Sequence, residues 1–262
     1  MLTFRSISAL TKYLEKFSDA EAKIGFVPTM GSLHDGHISL IDKSIKKSSI
    51  TVVSIFLNPT QFNDNKDLQE YPVDHEADFR ILKEYDNQLV LFVPETKEIY
   101  GDSIETKKYS FSGLDMYMEG SSRGNHFNGV ITVVEKLFEI VKPDYAFFGE
   151  KDFQQLQIIK KMVETLNLPV EIIGAPILRE PNGLAMSSRN SRLSREAREN
   201  TGFIYEVLKS FVKTEKHILE KRLFESGFKL EYLEKHDFGG QKRLFIAGVY
   251  DGVRLIDNIE LN

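Results

Sequence analysis

Cysteine is absent from the 262 residues, which removes thiol catalysis, cysteine-bound zinc and iron–sulfur clusters from consideration. A chain of this length buries roughly 70–75% of its unfolded surface, so a core can form without disulfides or a structural metal. There is no basic excess. The formal net charge is −5, and without a positive field nucleic acid is not expected as the main partner. No apolar run approaches the ~20 residues needed to span a bilayer, and the amino terminus lacks a basic stretch followed by an apolar segment. A soluble, cytoplasmic protein without a membrane partner is expected. Internal repeats, low-complexity segments and the Gly-x-x-x-x-Gly-Lys-Ser/Thr phosphate loop are missing as well.

What the chain does contain is a recurrence of apolar, β-branched runs at 24–27, 50–57, 89–93, 144–148 and 170–173. Helical spacing separates them, as at 129–141, where Val130, Val133, Val134, Leu137, Ile140 and Val141 fall on one face. This alternation predicts an α/β fold, a Rossmann-like doubly wound parallel sheet over residues 1–175. After about residue 175 the pattern changes. A charged helical stretch runs from Ser194 to about Lys213, a second occupies 215–226, and strand-like runs follow at 228–234, 243–250 and 253–256. Asp251-Gly252 between the last two is a hairpin signal. Residues 176–262 are therefore expected to form a smaller α+β carboxy-terminal domain.

The most informative stretch is Pro28-Thr29-Met30-Gly31-Ser32-Leu33-His34-Asp35-Gly36-His37, where an apolar strand gives way to an amphipathic helix. Free N–H groups and the positive end of the helix dipole make such a junction an anion site. Two imidazoles three residues apart project toward one point and can donate to phosphate oxygens. Three further polar motifs also follow apolar runs or close loops. Asn58-Pro59-Thr60-Gln61-Phe62 brings two amides that can read the hydroxyl and carboxylate groups of a small substrate. Gly149-Glu150-Lys151-Asp152-Phe153-Gln154-Gln155 brings an ammonium suited to an α-phosphate oxygen, a carboxylate suited to ribose hydroxyls, and in Gln155 a companion for Gln61. For Glu150, solvated capping is the better reading of the residue alone. Ala185-Met186-Ser187-Ser188-Arg189-Asn190 is, read alone, a serine-rich helix entry; beside the histidine pair it resembles the second signature of the nucleotidyltransferases, in which hydroxyls and a cation hold the outer phosphates.

In this order, PTMGSLHDGH, SIFLNPTQF, FFGEKDFQQL and LAMSSRN resemble the pantoate–β-alanine ligase family within the HxGH nucleotidyltransferases, and the likeness runs the length of the chain. Supporting stretches are 94–100, 136–138 and the ending Arg254-Leu255-Ile256-Asp257-Asn258. The resemblance implies that (R)-pantoate attacks the α-phosphate of Mg-ATP to give pantoyl adenylate, which β-alanine converts to pantothenate and AMP. It implies that His37, His34 and Lys151 are catalytic. Met30, Gly31, Ser32, Leu33, His34, Asp35, Gly36 and His37 are implied to contact ATP, as are Gly149 to Asp152, Leu178, and Met186, Ser187, Ser188 and Arg189. Gln61, Gln155, Asn58 and Arg123 are implied to hold pantoate and β-alanine. The first domain then binds nucleotide and pantoate, the second acts as a lid, and a homodimer is expected.

The family's Arg-Pro-Gly-His-Phe is here Arg123-Gly124-Asn125-His126-Phe127, glycine follows Tyr100 where proline is common, and the carboxy-terminal region is shorter than typical. These departures bear on loop motion. No protein metal cage is expected, since Mg²⁺ binds mainly through substrate phosphates and water. Asp78 is a candidate outer ligand, with a solvated helix face the stronger reading. One rival is a nucleotidyltransferase acting on a phosphorylated alcohol, which calls for a second basic cluster. Another is a nucleotide-binding module without catalysis.

Overall fold

The computed structural model describes residues 1–17, 21–63 and 65–261. Six parallel strands form one sheet: β1 (Thr3–Phe4), β2 (Ile24–Thr29), β3 (Ile50–Ile55), β4 (Leu89–Phe92), β5 (Tyr145–Gly149) and β6 (Glu171–Ala175), in the order β1-β4-β3-β2-β5-β6. Helices flank the sheet. β3 is buried at every position, which is why it reads as a continuous apolar run instead of an alternating one. Pro28 lies inside β2 without breaking the sheet. Its pairing with β5 is confined to Gly25 and Phe26, so the missing N–H of Pro28 falls beyond that ladder.

Strand order reverses between β2 and β5. Such a switch point opens a crevice at the carboxyl ends of the strands, and the Pro28–His37 motif leaves β2 there. The helix Asp35–Lys47 returns tightly against β2. A Cβ on Gly25 would meet the hydroxyl oxygens of Ser44 and Ser48 at 2.2 Å, so glycine is what permits this approach. Val27, Leu40, Ile41, Val53, Leu91 and Phe147 are part of the apolar cluster on which it rests.

Asp144 clamps the amino ends of two strands. Its carboxylate accepts the Ile24 N–H at 2.9 Å and the Lys23 ammonium at 2.8 Å. Partial burial pushes this carboxyl up, but the Lys23 and Ile24 bonds outweigh burial and hold it below the usual carboxylate range. A depressed carboxyl contributes stability above its unfolded pKa and loses it as pH falls through the folded one. Asp144→Asn is therefore expected to lower the unfolding free energy measured in urea at pH 7 by on the order of 1 kcal/mol. The gap from wild type should shrink below about pH 4. A gap that persists at pH 2 would contradict the assignment.

The chain divides into two compact units, Met1–Gly149 with Gln154–Ala175, and Glu150–Phe153 with Pro176–Asn262. In the second, β7 (Lys229–Phe238), β8 (Gln241–Tyr250) and β9 (Val253–Glu260) form an antiparallel sheet. Leu184, Ile204, Leu208, Leu219, Leu223 and Leu244 are among its buried apolar residues. The single long helix expected to Lys213 is instead two, Arg195–Asn200 and Phe203–Ser210. The break falls at Thr201-Gly202, where a Cβ on Gly202 would lie 2.5 Å from the Asn182 carbonyl. β7 and β9 each extend four residues beyond the sequence expectation, to Phe238 and Glu260. A second hairpin at Gly239-Gly240, with φ of +66° and +96°, ends β7. No helix among the described residues is long and apolar enough to cross a membrane.

Candidate active site

The turn after β2 is held from three sides. Thr29 donates its hydroxyl to the Ser54 carbonyl at 2.7 Å, and its oxygen accepts the Gly31 N–H at 3.2 Å. Gly31 (φ +82°) and Ser32 (φ +52°) both adopt the left-handed region. Asp78 then receives the Ser32 N–H at 2.9 Å and the Leu33 N–H at 2.6 Å, one on each carboxylate oxygen. It is 1% exposed, which corrects the expectation of a solvated helix face or a metal's outer ligand. Burial pushes its carboxyl above the ordinary value, and the two backbone donors pull part of the way back. A Cβ on Gly31 would lie 2.9 Å from Asp78 Oδ2, so glycine is needed here for space as well as for its φ.

His34 is the N-cap of the helix Asp35–Lys47, and His37 occupies its third position. His34 Nδ1 accepts the Gly36 N–H at 3.1 Å, and His37 Nδ1 accepts the His34 N–H at 3.3 Å. The ring centroids lie 4.1 Å apart. A ring nitrogen that accepts a bond carries no proton, so each neutral ring is protonated at Nε2. Backbone capping thus converts both imidazoles into Nε2–H donors at the positive end of a helix.

The second motif is more divided than its sequence implied. Asn58 is 1% exposed, and its amide is spent inside the protein. Its oxygen accepts from Tyr100 at 2.6 Å and from the Thr60 hydroxyl at 3.0 Å. Its nitrogen donates to Gln61 Oε1 at 3.1 Å and to the Gly129 carbonyl at 3.3 Å. Asn58 therefore holds Gln61. Gln61 Nε2 contacts the Met30 sulfur at 3.0 Å, and its carbonyl faces His126 Nδ1 at 2.8 Å and Arg123 Nη2 at 3.4 Å. Arg123 also reaches Glu119 at 3.4 Å and His126 Nε2 at 3.2 Å. Gly124 has φ +49°, a value proline cannot adopt, so this turn requires the residue that stands here.

Adjacent glutamines on the helix Phe153–Leu166 have opposite fates. Gln154 accepts the Glu119 N–H and donates to the carbonyls of Leu114 and Tyr117, which ties down residues 114–119. Gln155 is half-buried, and its side chain makes no hydrogen bond among the described residues.

In the second unit, Glu150–Asp152 form one 3-10 turn after Gly149. Glu150 receives both terminal nitrogens of the buried Arg243 at 3.1 Å, so it is a structural partner as well as an ATP-contact candidate. Lys151 lies 3.6 Å from Asp152. Leu178 is 40% exposed, and its carbonyl accepts the Met186 N–H at 3.0 Å. Ser187 caps the following turn by accepting the Arg189 N–H, and Asn190 braces it through Glu180 and the Ala185 carbonyl. Among the described residues no group of three or more His, Cys, Asp or Glu side chains could hold a metal.

Sequence reasoning missed Asp78 as the anchor of the histidine turn, and His126 and Tyr100 behind Gln61. Each acts across a large sequence separation; family-like segments surround Tyr100 and His126, while Asp78 lies outside them.

Residues 2–260 match the family model described as pantoate-beta-alanine ligase. A pantothenate synthetase from Christiangramia forsetii is 47% identical over the full length of both chains, and one from Flavobacterium psychrophilum is 41% identical over the same share. A crystal structure of a pantoate-beta-alanine ligase from Francisella tularensis, complexed with beta-gamma ATP and beta-alanine, superposes with a TM-score of 0.91 at 39% identity. That alignment covers 99% of this chain and 97% of the other. A pantothenate synthetase structure from Thermus thermophilus gives a TM-score of 0.89 at 36% identity, with 99% of both chains covered.

Proposed function

The chain belongs to the pantoate–β-alanine ligase family, and we propose how its own residues divide the work of that enzyme. The enzyme condenses (R)-pantoate with β-alanine, using ATP, through a pantoyl adenylate. In the first step a pantoate carboxylate oxygen bonds to the α-phosphorus and pyrophosphate departs with the bridging oxygen. In the second the β-alanine amine attacks the acyl carbon, AMP leaves, and the amine proton is lost to solvent. Neither step needs a protein nucleophile. Positioning and charge neutralisation carry the catalysis.

His34 and His37 donate from Nε2 to phosphate oxygens as charge moves onto pyrophosphate, with Met30–Asp35 and Gly36 lining the nucleotide. Lys151 neutralises the α-phosphate, Asp152 takes the ribose, Leu178 lies against adenine, and Ser187, Ser188 and Arg189 take the outer phosphates. Gln155, with its amide uncommitted, binds pantoate together with Gln61, while Asn58 and Arg123 hold Gln61 in place. The observation that supports this division best is the pair of Nδ1 atoms occupied by backbone N–H groups, which leaves both rings as Nε2 donors. Magnesium carried on the triphosphate would supply charge neutralisation there. Asp78 is not placed to serve it, since it is 1% exposed and its carboxylate is turned to the Ser32 and Leu33 N–H groups. A cytoplasmic homodimer completes the reading.

The roles separate experimentally. Wild-type enzyme should release pyrophosphate from ATP when given pantoate alone, and AMP only after β-alanine is added. Gln155→Ala should raise the KM for pantoate about tenfold, a loss of about 1.4 kcal/mol, with the KM for ATP within twofold of wild type. An unchanged pantoate KM would remove Gln155 from the site.

A further inference from the structure

The end of β9 carries two consecutive buried polar side chains. Asp257 is 5% exposed and Asn258 is 1% exposed, although neighbours on a strand face opposite ways. Asn258 Nδ2 donates to the Glu150 carbonyl at 2.9 Å and to the Lys151 carbonyl at 3.0 Å, so both amide hydrogens are spent on the backbone of one short turn. Its orientation follows from those bonds. A flipped amide would set its oxygen against two carbonyl oxygens. Asn258 Oδ1 is buried without a partner among the described residues, a cost the fold bears in order to hold the nitrogen where it is.

Asp257 anchors this asparagine. Its Oδ1 accepts the Asn258 N–H at 2.7 Å and Arg179 Nη2 at 2.9 Å, and its Oδ2 accepts Arg179 Nη1 at 2.6 Å. Arg179 also donates to the Asn258 carbonyl at 3.2 Å and lies over the Tyr205 ring at 3.9 Å. Burial pushes the Asp257 carboxyl up, while the Arg179 guanidinium, the Asn258 N–H and the charge of Lys151 draw it part of the way back.

We propose that Asn258 is a positioning residue for Lys151 in adenylate formation: its amide fixes the two carbonyls of the Glu150-Lys151 turn, and the Asp257–Arg179 pair fixes Asn258. The mechanical reason is simple. A lysine stem has four rotatable bonds, so its ammonium is placed only as well as its backbone is. The inference rests on the assignment of Lys151 to the α-phosphate, and the test separates the two.

The measurement is single-turnover pyrophosphate formation from Mg-ATP and pantoate by the full-length enzyme. Lys151→Ala is expected to slow it more than tenfold. Asn258→Ala is expected to slow it about tenfold with the pantoate KM within twofold of wild type. Asn258→Asp, which has the same shape but turns an oxygen toward the two carbonyls, should be slower still. Asn258→Ser keeps one donor and should lose about threefold; it is the variant to read if the alanine protein does not fold. In the Lys151→Ala background each of the three Asn258 substitutions should add less than twofold, because a residue that acts through Lys151 has nothing left to position. A merely structural role predicts fully multiplicative losses, which would overturn the proposal. So would an Asn258→Ala enzyme with wild-type rate beside a crippled Lys151→Ala enzyme. A Lys151→Ala enzyme at wild-type rate overturns the lysine assignment and the proposal together.

Discussion

His37→Ala should slow pyrophosphate formation by about 10² to 10³-fold, the loss that follows removal of one preorganised donor to developing charge, about 2.7–4 kcal/mol. It should also destabilise the protein. His37 Nδ1 is the acceptor for the His34 N–H, and losing a helix cap costs about 0.5–2 kcal/mol. The two effects come from different nitrogens of one ring, so a second variant can divide them. Glutamine at the third helical position is the residue a capping box prefers, because its oxygen reaches back to the N-cap N–H. His37→Gln is therefore expected to restore the thermal midpoint. It should leave the rate at least tenfold low, since its NH₂ sits on the same carbon as the capping oxygen and not across a ring from it. Rapid-quench assays and thermal melts on the three proteins check this. Full recovery of rate by glutamine would reduce His37 to a cap.

The histidine turn was legible because everything that defines it is local. An apolar strand, a glycine for the left-handed turn, and a cap residue ahead of a helical pattern lie within about fifteen residues, and three-residue spacing was enough to predict facing rings, found 4.1 Å apart. Strands β2 to β6 were legible because each announces itself as an apolar run, whereas β1 (Thr3–Phe4), two residues long, left no run to read. What holds these pieces was not. Asp78 reaches Ser32 across 46 positions and Asn258 reaches Lys151 across 107, and no local pattern records such a bond. Gln154 and Gln155 are chemically identical neighbours. Only the placement of residues 114–119 spends one amide and spares the other. In the second unit the charged periodicity from Ser194 to Lys213 looked continuous, because a helix pattern carries no sign of the Asn182 carbonyl that Gly202 must accommodate.

Asp78→Ala is expected to cost about 10²-fold in pyrophosphate formation and several degrees in thermal midpoint. The buried N–H of Leu33 would lose its acceptor at about 1–3 kcal/mol, and the part-buried N–H of Ser32 would lose its own at a smaller cost. Ser32 at φ +52° sits in a region that costs a non-glycine residue roughly 1–2 kcal/mol, so without those bonds the turn can relax. His34 begins two residues later, and a displacement of about 1 Å at a reacting group is worth about 10²-fold. Asp78→Asn retains one acceptor and turns an NH₂ toward the other N–H, so an intermediate loss of about tenfold is expected. The pH dependence then has opposite signs for stability and for rate. Burial raises this carboxyl, so the folded state holds its proton more tightly than the unfolded state does. The contribution to stability is full below the unfolded value and is lost as pH rises through the folded one. Acidification through that raised value should therefore stabilise wild type relative to Asp78→Asn. It should also slow wild type, because a protonated carboxyl has one acceptor fewer for the turn. Melts and single-turnover rates on both proteins from pH 7 down to pH 4 measure the two slopes. Parallel slopes in wild type and Asp78→Asn would mean that the turn stands without its carboxylate. Opposed ones would show that the enzyme keeps a charge in its core, against its own stability, to hold the histidines at the phosphate.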